Sequence, residues 1–128
     1  LRICSSVSLL RPRSRCARIA AEGGSTKMPT VSIPRLRTCR DLLLNELKAL
    51  PGITVAVPPG GLYAFMRIEG QTDSLALAKR LVAEHGLGLA PGLAFGPEGE
   101  GWLRWCFASQ DVARLGQGVD RLRRWLGL

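Results

Sequence analysis

The chain has 128 residues, enough for one domain with one modest core. Its net charge of +8 suggests a nucleic-acid partner, yet nine basic residues and one acidic residue in positions 1–40 carry the whole excess, which argues against a basic face built into the fold. Cys4, Cys16, Cys39 and Cys106 show no C-x-x-C spacing and His85 is the only histidine; neither a zinc site nor a disulfide framework is expected, and no apolar run is long enough to span a bilayer.

Positions 1–35 are rich in Arg, Ser, Gly and Pro and show no helical or strand period. They are read as a disordered or artefactual basic segment, with a targeting peptide and genuine structure as the alternatives. The sequence opens on Leu1 rather than Met, so it is expected to be a fragment. Patterning begins at residue 36. Leu36, Cys39, Leu43, Leu47 and Leu50 fall on one helical face, and Pro51-Gly52 ends that helix. Ile53 to Val57 is a short β-rich run, and Pro58-Pro59-Gly60-Gly61 is a turn or loop.

Leu62 to Ile68 alternates as a strand, with Leu62, Ala64, Met66 and Ile68 on one face and Tyr63, Phe65 and Arg67 on the other. Asp73 is placed to cap a helix with an apolar face of Leu75, Ala78, Leu81 and Val82, closed by Gly86. Leu87 to Ala90 is extended, and the glycines and prolines of 91–101 make a loop. Trp102 to Phe107 reads as another strand. Ser109 is expected to cap the last helix, whose stripe is Val112, Leu115, Val119, Leu122 and Leu126. Gly116 and Gly118 weaken that helix by ~1 kcal/mol each relative to Ala. The predicted fold class is α/β, a small mixed sheet flanked by helices, over residues 36–128.

Arg104 stands out in its strand. Alternation puts Trp102, Arg104 and Cys106 on one face and Leu103, Trp105 and Phe107 on the other. An arginine in so apolar a strand needs its charge paired or solvated. Its planar fork suits a carboxylate held by two parallel hydrogen bonds. Two readings stay open from the residues alone: a cleft arginine awaiting an acid, or an edge-strand arginine facing water or pairing internally.

Ala90-Pro-Gly-Leu-Ala-Phe-Gly96, followed by Gly99-Glu-Gly-Trp-Leu-Arg-Trp-Cys-Phe-Ala108, resembles the C-terminal signature of class I and II aminotransferases. Arg40-Asp-Leu-Leu-Leu-Asn-Glu-Leu47, Pro51-Gly52-Ile53 and Pro59-Gly-Gly-Leu-Tyr-Ala-Phe65 resemble the helix, turn and glycine–aromatic strand that precede it. The resemblance implies the C-terminal small domain of the fold-type-I architecture. It implies that Arg104 binds the substrate's α-carboxylate, with Gly61, Leu62 and Tyr63 near the mouth of the site. Pro91, Gly92 and Phe95 are expected to shape a loop rather than touch substrate.

It further implies a pyridoxal-phosphate-dependent transaminase acting on an amino acid and a 2-oxo acid, usually as a homodimer. From the residues themselves, unpaired thiols suggest a cytoplasmic protein, and the confined basic excess and short apolar runs suggest no nucleic-acid or membrane partner. No residue is assigned a catalytic, cofactor-binding or metal role. The Schiff-base lysine belongs to a large domain for which this chain has no room. Lys27 follows Ser25-Thr26 but lacks the family's flanking residues and is read as surface. The isolated chain is therefore expected to be inactive. The alternatives are a free carboxylate-binding or interaction module and a basic-tailed binder of anions or nucleic acid.

Overall fold

The structure, a computed structural model, describes residues 32–128. The readings of Cys4, Cys16 and Lys27, and nearly all of the basic segment, lie outside the described residues. Three helices and four short strands follow one another as α1 (Ile33–Lys48), β1 (Ile53–Ala56), β2 (Tyr63–Ile68), α2 (Ser74–His85), β3 (Ala90–Pro91), β4 (Trp102–Cys106) and α3 (Ala113–Trp125).

α1 starts at Ile33, ahead of the boundary at residue 36, because Pro34 sits in its first turn, where a missing N–H costs nothing. The helix stops before Pro51, and Gly52 takes the positive φ of 71° that the turn into β1 requires. Cys39, Leu43, Leu47 and Leu50 are buried as their spacing predicts.

The strands form one sheet in the order β1-β2-β4-β3. Every pairing in it is antiparallel, including Phe65 opposite Arg104 and Ala90 opposite Arg104. The mixed sheet expected from the sequence is thus corrected, while the α/β class with helices on a sheet stands. Ala64, Met66 and Ile68 of β2 and Leu103 and Trp105 of β4 join the buried residues of all three helices in one core. The helices therefore cover one face of the sheet, and the face bearing Tyr63, Phe65 and Arg104 points away from that core. Antiparallel sheets tolerate one such uncovered face.

α2 departs in phase from its predicted face. Its buried residues are Ser74, Leu77, Ala78 and Leu81, whereas Leu75 and Val82 are 44% and 53% exposed. The stripe starts at a serine, which hydropathy counts as polar. Ser74 is buried because its hydroxyl accepts the Leu93 N–H at 3.3 Å. The ends of α2 are as predicted. Asp73 accepts the Ala76 N–H at 2.8 Å, and Gly86 is left-handed at φ 63°.

α3 shows its predicted stripe, with Leu115, Val119 and Leu122 buried. Its start is corrected: Ser109 bonds to the backbone of Asp111, and the Asp111 carboxylate accepts the Ala113 N–H at 2.9 Å. Gly118 has a packing reason, since a Cβ there would stand 2.7 Å from the Trp105 indole. Gly116 has open space around it. α3 is tied to α2 by the Trp125 indole N–H on Glu84 at 3.0 Å and by Arg121 on the Gly86 carbonyl at 2.8 Å.

Candidate functional site

The sheet face that no helix covers among the described residues centres on Arg104. β4 lies between β2 and β3, so Arg104 is not an edge-strand residue. Nor is it paired internally: the ion pairs among the described residues are Arg40–Asp41, Arg80–Glu84 and Arg123–Glu46. Its Nε is buried without a hydrogen-bond partner among the described residues. The guanidinium is thus a cation with an unused donor.

Two rings hold that charge in place. The guanidinium carbon lies 4.1 Å from the centroid of Tyr63 and 3.7 Å from that of Phe95. Such contacts contribute roughly 0.5–2 kcal/mol each and use none of the N–H donors. Phe95 is in turn met edge-on by Phe65, with centroids 6.2 Å apart and planes at 87°. Tyr63 and Phe65 are brought to Arg104 by strand register, because β2 runs beside β4. Phe95 comes from the loop instead.

That loop consists of two short 3-10 turns, Gly92–Phe95 and Pro97–Gly99. Gly92 and Gly99 cross in backbone contact at its neck. A Cβ on Gly92 would lie 2.7 Å from the Trp102 carbonyl oxygen, and one on Gly99 would lie 2.6 Å from the Gly92 carbonyl carbon. Only glycine allows this approach. Both limbs are also tied to the start of α2. Glu100 accepts the Ser74 N–H at 2.7 Å and the Gly101 N–H at 3.1 Å, while Ser74 accepts from Leu93. These donors, Ser74 foremost and then Gly101, hold the Glu100 carboxyl below the usual glutamate range.

Of the residues singled out in the sequence, Tyr63 touches Arg104 directly. Gly61 and Leu62 line a groove of about 380 Å³ that continues from Tyr63 and Phe65. Gly61 needs its φ of 81° for the turn, and the Leu62 carbonyl accepts the Phe107 N–H at 2.9 Å. Phe95, read from the sequence as shaping the loop rather than touching substrate, also packs on the guanidinium. Loops carry no side-chain period from which that contact can be read. Glu100 was missed as well, since it lies 26 residues along the chain from Ser74 and no local pattern joins the two.

A sequence model of the family described as aminotransferase class I and II matches residues 30–122. The chain belongs to this aminotransferase family. Among curated relatives, it is 31% identical over 91 residues to the "Putative aminotransferase YugH" of Bacillus subtilis, covering 70% of this chain and 23% of that protein. It is 32% identical over 92 residues to the "Probable aspartate aminotransferase" of Methanocaldococcus jannaschii, covering 72% and 24%.

The fold is similar to that of the aromatic aminotransferase from Pyrococcus horikoshii OT3. The TM-score is 0.68 at 29% identity, with 73% of this chain and 25% of that one covered. The chain thus spans about a quarter of the length of such aminotransferases. The loop that carried the sequence resemblance, Pro91 to Gly96, is the one that delivers Phe95 to Arg104.

Among the described residues no group of three or more His, Cys, Asp or Glu could hold a metal ion. Cys39 is buried and Cys106 exposed, both as free thiols. No helix among the described residues is long and apolar enough to cross a membrane.

Proposed function

We propose that this chain supplies the carboxylate-recognising element of a pyridoxal-phosphate-dependent transaminase that moves an amino group between an L-amino acid and a 2-oxo acid. The observation that carries the reading is Arg104: an unpaired guanidinium with an unused Nε–H, fixed between two rings on the uncovered face of the sheet. A carboxylate is the partner whose geometry suits that fork. Fixing the acid at this end aligns the bond at its α-carbon for proton transfer. The relatives' names support the same division. One names aspartate and another aromatic substrates, and what such amino acids share is the α-carboxylate. Tyr63 frames the arginine, and Gly61 and Leu62 form the adjoining rim.

The described residues do not fit attachment of the cofactor. Lys48 and Lys79 are their only lysines; both are exposed on helices that pack against the opposite face of the sheet. We therefore assign cofactor attachment to the rest of a full-length parent, a cytoplasmic homodimer, and expect no transamination by this chain alone.

Calorimetric titration of the full chain with propionate, a plain carboxylate, tests the reading. Saturable binding is expected. It should weaken roughly tenfold in Arg104→Lys, which keeps the charge but loses the fork, and vanish in Arg104→Ala. Equal binding by all three proteins would overturn the assignment.

A further inference from the structure

Arg104 is presented by a strand, but half of its cage comes from a loop, and loops need holding. The neck of that loop is closed by the Gly92–Gly99 crossing. Its two limbs are fastened to one place, the first residue of α2, from opposite sides. Glu100 reaches back from the outgoing limb to the Ser74 N–H, and the Ser74 hydroxyl takes the Leu93 N–H of the incoming limb. Ser74 is fully buried and Leu93 is two residues from Phe95.

The helix start has its own cap in Asp73, which accepts the Ala76 N–H. Glu100 is therefore a second carboxylate at the same end, and its like charge with Asp73 opposes its ionisation. Capping alone does not require it. What it adds is a tether between α2 and the strand that carries Arg104, since Glu100 stands two residues before β4 begins.

We propose that Glu100, acting through Ser74, is a positioning residue for the carboxylate site: it locks the loop so that Phe95 stays on Arg104 and the guanidinium is held ready for an acid. This rests on the carboxylate reading for its purpose but not for its geometry. A preformed fork spares the ordering that a free arginine side chain must undergo on binding.

The test uses the full chain and two resonances in its proton–nitrogen spectrum. One is the Arg104 Nε–H, which lies within the ring-current field of Phe95. The other is the Trp125 indole N–H, bonded to Glu84 at the far end of α2, which reports an intact fold. Phe95→Ala defines the shift of an uncaged Arg104. Glu100→Ala is expected to move the Arg104 resonance most of the way to that position, and Ser74→Ala to move it in the same direction, with Trp125 unmoved. Glu100→Gln, whose amide oxygen still accepts both N–H groups, should keep the wild-type shift.

Propionate affinity should fall about fivefold in Glu100→Ala and hold in Glu100→Gln. If Glu100→Ala loses the Trp125 signal by unfolding, Ser74→Ala decides. An Arg104 resonance at its wild-type position in every folded variant would overturn the proposal, leaving Glu100 a helix cap. If wild-type chain binds no propionate, the carboxylate reading fails, and the resonance positions still decide what Glu100 does.

Discussion

Arg104 sets a cation on a strand otherwise made of Trp, Leu and Cys, and its Nε–H finds no partner among the described residues. A buried unsatisfied donor costs about 1–3 kcal/mol, more when charged. The rings of Tyr63 and Phe95 offset part of that cost without using the donors. The oddity of the residue was legible in the sequence, because a lone arginine in an apolar alternating run stands out. Its cage was only half legible: Tyr63 shares the strand alternation, whereas Phe95 arrives by a loop path fixed by two glycines that no periodicity encodes.

Glu100 makes a second prediction at this scale. Its carboxyl is held below the usual glutamate range by the Ser74 and Gly101 N–H groups, against the opposing charge of Asp73. A carboxyl favoured as the anion in the native state stabilises the fold above its unfolded pKa. That contribution fades as pH falls through the lower native value. Urea unfolding should therefore show wild type and Glu100→Ala differing near neutrality. The gap should shrink once the pH lies below the glutamate range. A gap that stays constant into strong acid would contradict the bonding described for Glu100.

At the scale of elements, α3 sets two glycines against each other. Sequence alone charges both with the same penalty. Gly116 faces open space, so Gly116→Ala should stabilise by about 0.5–1 kcal/mol. Gly118 lies under the Trp105 indole, so Gly118→Ala should destabilise by about 1–3 kcal/mol through overpacking. Denaturant midpoints of the two variants, shifting in opposite directions, would bear this out.

Helices and strands were legible where apolar residues recur, as in α1 and α3. The phase of α2 was not. Burial of Ser74 depends on the distant Leu93 N–H, which hydropathy cannot see. Sheet order was hidden for a similar reason. Alternation marks a strand and its faces but not its neighbour, so the antiparallel pairing of β4 with both β2 and β3 emerged only in three dimensions.

The described residues form a two-layer unit in which helices pack on one sheet face and none packs on the other. The covered face holds the core. On the other side, Tyr63 and Phe95 are 41% and 48% exposed around an unpaired arginine. We propose that this face recognises an acid and that the cofactor is attached in a part of the parent outside this chain. Titrating the purified full chain with pyridoxal phosphate, following visible absorbance, then trapping with borohydride and mapping peptides by mass, tests this division. Neither a saturable band nor a single trapped lysine is expected. A saturable band trapped on one lysine would contradict the division, and would place the cofactor's anchor in this chain.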